Sequence, residues 1–298
     1  MQNLAVCLMG PTATGKTEVA VELAERFPCD IISVDSALVY RYMDIGTAKP
    51  DAETLRRAPH QLVDILDPEE AYSAGDFVRD AQDAIRASFA AGRIPLLVGG
   101  TMMYFRALTQ GIAELPSGDA EVRDRLDQQA AELGWPAMHE RLCEVDPATA
   151  ARLKPTDSQR IQRALEVYEI SGRPLSDWHA ASKQATNNAD IGFLKIALDV
   201  AERSVLHERI EKRLDLMFKA GFVDEVAELR ERDGLNSDMP SMRAVGYRQV
   251  WAHLAGELTL DECRYRALVA TRQLAKRQFT WLRSETDLFV IDALEAAK

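Results

Sequence analysis

The chain has 298 residues, 47% of them hydrophobic, enough to bury a substantial core as one large domain or two modest ones. Its formal net charge of −11 argues against a protein that coats nucleic acid or membrane indiscriminately, although a local basic patch fits within an acidic total. Four dispersed cysteines (Cys7, Cys29, Cys143, Cys263) form no C-x-x-C pair and no metal-ligand spacing with the five histidines, and no apolar run reaches membrane-spanning length, so the expectation is free thiols in the cytoplasm and no membrane partner.

An apolar run over 4–9 leads into Gly10-Pro11-Thr12-Ala13-Thr14-Gly15-Lys16-Thr17, and helical spacing follows from Glu18. Strand, loop, helix is the context that gives a G-x-x-x-x-G-K-[ST] match its meaning. The glycines let backbone N–H groups turn inward and the helix N-terminus adds partial positive charge, which makes a cradle for a di- or triphosphate. Lys16 supplies a point charge for the outer phosphates, and the Thr17 hydroxyl is placed to ligand Mg2+.

A second short strand, 30–34, ends at Asp35-Ser36. In an open parallel sheet the carboxyl ends of strands face the ligand crevice, so Asp35 reads either as a general base or magnesium-organising group, or as a helix N-cap. A further strand is expected over 60–68, with His60 as a hydrogen-bonding residue at its start, and a helix capped by Ser73 or Asp76 runs to about Ala90. Residues 94–98 form a continuous apolar run, hence a buried parallel strand, ending in Gly99-Gly100-Thr101. Many P-loop hydrolases place an Asp there to hold magnesium; close backbone approach and a hydroxyl instead argue against nucleotide hydrolysis.

From residue 116 helix patterns follow one another over 121–133, 136–144, 147–153 and 157–170, and a polar exit linker follows at 183–190. This predicts an α/β protein: a P-loop NTPase-like core with a parallel β-sheet flanked by helices, in two pieces (1–115 and 191–298), plus a small all-helical insertion domain (116–190). After a returning strand at 193–199, a helix over 202–220 carries Arg209, Lys212 and Arg213 among Glu208, Glu211 and Asp215, which reads as surface pairing for most of them. The last helix, expected over 267–283, places Leu268, Leu274, Trp281 and Leu282 inward. Arg272, Lys276 and Arg283 form one exposed line, and Arg266, Gln273 and Arg277 another. No acid lies between Arg264 and Arg283, and with Arg243 and Arg248 nearby this basic face reads as a polyanion site.

Gly10 to Thr17, the 33–40 and 44–50 segments, Pro59-His60, 98–104, 160–172, Gly246-Tyr247-Arg248-Gln249 and 271–278 together resemble the bacterial tRNA dimethylallyltransferase family, in its order and from end to end. The resemblance implies transfer of a dimethylallyl group from dimethylallyl diphosphate to the exocyclic N6 amine of the adenosine 3′ to the anticodon, in tRNAs reading codons that begin with U. It implies Asp35 as general base, Thr17 at the magnesium and diphosphate position, and Lys16 and Arg213 on the diphosphate. Thr101 and Arg123 are implied to contact tRNA near the target base. The remaining tRNA contacts it implies are Asp35, Ser36, Ala37 and Leu38; Gln159, Arg160, Ile161, Gln162 and Arg163; Arg243, Gly246 and Arg248; and Arg272, Gln273, Lys276 and Arg277. A monomer binding the tRNA anticodon stem-loop is expected, with a small-molecule or nucleoside kinase as the rival enzyme and an RNA-binding module with a regulatory phosphate loop as the rival from another class.

Overall fold

A computed structural model describes residues 3–113, 115–182 and 191–294. The first stretch runs β1 (Asn3–Met9), α1 (Lys16–Arg26), β2 (Cys29–Val34), α2 (Ala52–Arg57), β3 (His60–Gln61), α3 (Ala74–Ala90), β4 (Ile94–Gly99) and α4 (Met102–Gln110). Helices α5 (Ala120–Leu133), α6 (Trp135–Val145), α7 (Pro147–Ala150), α8 (Ser158–Ser171) and α9 (Leu175–Ser182) follow. The chain then returns through β5 (Ile191–Asp199), α10 (Arg203–Lys219), α11 (Phe222–Arg230), α12 (Tyr247–Leu254), α13 (Leu260–Leu282) and β6 (Leu288–Asp292).

Among the described residues the strands form one sheet of six in the order β3-β2-β4-β1-β5-β6, every pair parallel. Side chains alternate across its faces with the strand period of two. Ala5, Cys7 and Met9 join Ile32, Val34, Leu97 and Ala197 on one face, under Phe77 and Ile85 of α3 and Phe105 and Leu108 of α4. Leu8 joins Ile31, Leu96, Val98 and Leu198 on the other, against Ala20 and Val21 of α1, Leu206 and Ile210 of α10, and Ala275 and Phe279 of α13. Burial on both faces is why β4 reads as an uninterrupted apolar run. It also puts the carboxyl ends of β1, β2 and β4, three adjacent strands, along one rim.

A third apolar cluster pins the segment after β2. Val39, Tyr40 and Met43 pack on Phe222 and Val226 of α11 and Tyr247 and Val250 of α12. The Glu225 carboxylate accepts the backbone N–H groups of Asp44, Ile45 and Gly46 at 2.9, 2.6 and 3.1 Å and the Tyr247 hydroxyl. Gly46 is required there, because a Cβ would lie 2.1 Å from the Phe222 ring. Buried Lys49 donates to the Tyr40 carbonyl at 2.9 Å and pairs with Asp44 and Asp64.

The chain divides into two compact units, one comprising 1–109 and 190–298, the other 110–189. The second therefore takes in residues 110–115, which the sequence reading left with the core. Just after them the Pro116 carbonyl accepts from Arg163 of α8 at 2.8 Å. This unit has its own core, with Leu126, Met138, Leu142, Ile161 and Leu165 fully buried between α5, α6 and α8. Its helices are capped as their sequences specify, Asp119 accepting from the Val122 N–H and Asp146 from the Thr149 N–H. The expected linker 183–190 lies outside the described residues.

Three expectations are corrected. The strand over 60–68 is only two residues long, because Leu62 and Asp64 take φ of 61° and 56° and turn the chain, leaving a lone bridge between Tyr40 and Leu66. The 147–153 helix stops at Ala150, three residues before Leu153. The last helix starts at Leu260, where Thr259 and Glu262 form a capping box, and not near residue 267. Its buried line is Cys263, Ala267, Ala275, Phe279 and Leu282, while Leu268, Leu274 and Trp281 are half-buried. Leu268 and Trp281 still pack against the core, so counting large apolar residues found the edges of the inward face and missed the small residues at its centre.

Candidate active site

At the carboxyl end of β1 the loop 10–17 opens α1. Gly10 is buried, and a Cβ on it would stand 2.7 Å from the Leu198 carbonyl oxygen. Ala13 and Gly15 take φ of 65° and 88°, the left-handed turns that aim successive N–H groups to one side. The backbone N–H groups of residues 13 to 18 have no hydrogen-bond partner among the described residues, and the helix dipole adds to their positive field. The first half of the loop is tied inward. The Pro11 carbonyl accepts from Thr14 Oγ1 at 2.9 Å and from Lys16 Nζ at 2.6 Å, and Arg213 of α10 donates to Thr12 Oγ1.

Two cations thus meet at the loop. Burial first, and then the Arg213 guanidinium, push the Lys16 ammonium down to about 8, against the upward pull of Asp35 and Glu18. Burial lowers Arg213 as well, while the same two carboxylates raise it. Arg213 is accordingly part of the loop site and not one of the surface pairs that its acidic neighbours in sequence suggested. Paired half-buried cations beside unpaired amides are an arrangement that an anion relieves.

Asp35 sits just past β2 on the same rim. Its Oδ1 accepts from the N–H of Ala37 at 2.8 Å and of Leu38 at 3.4 Å, closing a turn that no helix follows, so the N-cap reading is replaced by an Asx turn. Oδ2 has no hydrogen bond among the described residues. Gly99 lies so close to β2 that a Cβ would fall 2.0 Å from the Val34 carbonyl oxygen. Two residues later Thr101 Oγ1 accepts from the Ser36 N–H at 3.0 Å. The ends of β2 and β4 are therefore fixed to each other, with Ser36 exposed and Ala37 and Leu38 half-buried at the surface they form.

Thr17, half-buried in the first turn of α1, offers a hydroxyl oxygen, and among the described residues no three His, Cys, Asp or Glu side chains form a metal-binding group. One hard oxygen beside a phosphate cradle fits a hard cation that takes its other ligands from phosphate and water.

On α13, Gln273, Lys276 and Arg277 are exposed, as expected, while the described contacts correct the acid-free reading of this face. Arg264 pairs with Asp215 at 2.7 Å and Arg272 with Glu211 at 2.8 Å, both acids supplied by α10. Arg243 and Arg248 are exposed, but Gly246 is buried, with φ of 95°, and serves to start α12. A groove of about 460 Å³ between α12 and α13 is lined by Arg248, Tyr265, Arg266 and Gln273. Tyr265, 68% exposed, was missed; an aromatic interleaved with arginines was its signal.

In the second unit, Gln159 and Arg160 are exposed, Ile161 is fully buried in the core, and Gln162 donates to Asp127 at 2.7 Å. Arg123 and Arg163 converge on Glu166, at 2.8 and 2.6 Å; this carboxylate is 1% exposed and also accepts the Asp119 N–H at 3.0 Å. Glu166 was not expected from the sequence, where it looks like any acid of a solvated helix.

Comparison with known proteins identifies the family. The model of the IPP transferase family matches residues 38–285 and that of the isopentenyl transferase family residues 4–64. The tRNA dimethylallyltransferase of Thiobacillus denitrificans is 58% identical over 97% of this chain and 92% of its own, and that of Thioalkalivibrio sulfidiphilus 56% over 98% and 91%. The crystal structure of the tRNA isopentenylpyrophosphate transferase of Bacillus halodurans superposes with a TM-score of 0.69 at 36% identity, covering 98% of this chain and 90% of that one. A eukaryotic dimethylallyltransferase solved acting on tRNA shares the fold with a TM-score of 0.82 at 24% identity, over 99% of this chain and 75% of that one. The chain belongs to the IPP transferase family, the family of the tRNA dimethylallyltransferases.

Proposed function

We propose that this prenyltransferase moves a dimethylallyl group from dimethylallyl diphosphate to N6 of the adenosine 3′ to the anticodon in tRNAs reading codons that begin with U. The observation that carries the reading is the single rim on which a phosphate cradle with two cations stands next to a carboxylate, Asp35, whose Oδ2 has no partner among the described residues.

An adenine exocyclic amine is a weak nucleophile, because its lone pair is delocalised into the ring. As its nitrogen attacks the allylic carbon, Asp35 accepts the N6 proton; the new C–N bond forms while the C–O bond to diphosphate breaks. The leaving group gathers negative charge, and Lys16, Arg213 and the N–H groups of residues 13 to 17 stabilise it more as the bond lengthens. Thr17 would hold a magnesium ion, which when bound neutralises diphosphate charge. Thr101 orients the turn that presents Asp35. In the first unit the exposed basic residues of α13 and the groove holding Tyr265 suit an RNA loop whose unpaired bases are splayed and stacked; the second unit, taken by itself, offers Arg123 and Arg163 as contacts with RNA phosphate.

A kinase would need the same cradle but not the basic face of α13, and the family assignment sets it aside. We expect the protein to act as a cytoplasmic monomer.

The test is transfer of radiolabel from dimethylallyl diphosphate, with magnesium, to an unmodified anticodon stem-loop with adenosine 3′ to the anticodon. The wild type labels the RNA, and Asp35→Ala lowers the rate by about 10²-fold or more with stem-loop affinity retained. An unlabelled RNA with the wild type, alongside ATP-dependent phosphorylation of a small molecule, would overturn the reading.

A further inference from the structure

We infer that Gln278 is a positioning residue that couples the RNA-facing helix α13 to the diphosphate loop. This rests on the proposed function and adds to it a link between the two substrate sites.

Gln278 follows directly after Lys276 and Arg277, yet it points the opposite way and is 7% exposed. Its Oε1 accepts the Thr12 N–H at 3.0 Å, and its Nε2 donates to the Gly100 carbonyl at 2.8 Å. These partners fix the orientation of the amide, since a flipped carboxamide would set N–H against N–H and oxygen against oxygen. The fit is close, for a Cβ on Gly100 would fall 2.5 Å from that Nε2.

The consequence for the cradle is specific. Pro11 has no N–H and the N–H of Thr12 is committed to Gln278, so this half of the loop is held in shape while the unpaired N–H groups begin at Ala13. Gly100 precedes Thr101, whose hydroxyl accepts from Ser36 next to Asp35. One side chain therefore ties the phosphate loop to the end of β4, and through it to the turn of the general base. The same side chain is rooted in the helix whose other face carries Gln273, Lys276 and Arg277. A stiff helix pulled by RNA on one face carries Gln278 with it, which makes RNA and diphosphate binding mutually dependent.

The experiment compares wild type, Gln278→Ala and Gln278→Glu for thermal melting, KM for dimethylallyl diphosphate, and stem-loop Kd with and without magnesium pyrophosphate. In the wild type, pyrophosphate changes stem-loop Kd about fivefold or more. Gln278→Ala raises KM about tenfold, keeps the stem-loop Kd without pyrophosphate within about twofold, and abolishes the pyrophosphate effect. Gln278→Glu keeps the acceptor for Thr12 but sets a carboxylate against the Gly100 carbonyl; lowering the pH protonates it and restores a donor. Its KM relative to wild type therefore falls with falling pH, which a folding defect would not do. Unchanged KM and unchanged coupling in Gln278→Ala, or no coupling in the wild type, would overturn the inference. Failure of the wild type to label RNA would instead overturn the proposed function, and the pyrophosphate and stem-loop arms still read the coupling without turnover.

Discussion

Lys16 carries opposite consequences for activity and for folding. Its ammonium is held down to about 8 by burial and by Arg213, so in the ligand-free enzyme it starts to lose its proton just above neutrality. Diphosphate needs the charged form and, once bound, returns the pKa upward. kcat/KM for dimethylallyl diphosphate should therefore fall as pH rises through about 8, while kcat, which reports the bound complex, breaks at higher pH. Lys16→Arg stays charged throughout and should lose the alkaline limb in kcat/KM at a lower overall rate; persistence of that limb would assign it to another group. The sign for stability is the reverse. The folded-state pKa lies below the unfolded value, so between about 8 and 10.5 the unfolded chain binds the extra proton at this site. The contribution of Lys16 to stability thus rises with pH where activity falls, the mark of a charge placed for a ligand. Lys16 was legible because a loop motif states the role of each position. Gln278 was not, for nothing in a sequence says that an amide 266 positions away completes the same loop.

Among the elements, α13 shows how a correct local reading can still misjudge charge. Helical periodicity places Lys276, Arg277 and Arg272 away from the sheet, and all three look unpaired along the sequence. Packing supplies the acids: Glu211 and Asp215 of α10 meet Arg272 and Arg264. Among the described residues Lys276 and Arg277 make no ion pair with α10, so their charge is not offset in this way. Replacing Lys276 and Arg277 together by alanine should make the dependence of stem-loop affinity on salt shallower by roughly 1.5 in log–log slope, with a loss of affinity across RNA sequences. Arg272→Ala should change that slope by less than half as much, because its charge is already offset by Glu211. Anisotropy titrations at several salt concentrations decide it, and equal slopes for both variants would mean that the α10 acids do not screen this face. The parallel sheet was readable from its apolar runs, and the start of β3 at His60 with it, whereas the end of β3 was not, since its turn depends on positive φ at Leu62, an apolar residue that rarely takes it, as well as at Asp64.

For the whole molecule, the division into two units has an energetic meaning. The first unit buries its apolar residues on both sheet faces and under the 37–50 segment, while the second buries Leu126, Met138, Leu142, Ile161 and Leu165 among themselves. Each unit has a core of its own, so the two should open as separate cooperative units. The succession of helix patterns without a strand is the mark of the second unit in the sequence; its start at residue 110 precedes the first of those patterns, at 121, so the pattern could not mark it. Leu126→Ala removes a fully buried side chain and should cost about 2–5 kcal/mol, a large share of the stability of so small a core. Hydrogen exchange should then accelerate throughout α5, α6 and α8, with β1, β4 and β5 still protected. Pyrophosphate affinity, a property of the first unit, should remain within about twofold, while stem-loop affinity falls because Arg123 and Arg163 lose the carboxylate of Glu166 that holds them. Equal loss of protection in both units would show a single cooperative structure, and the insertion would then have to be treated as part of the core that carries the cradle.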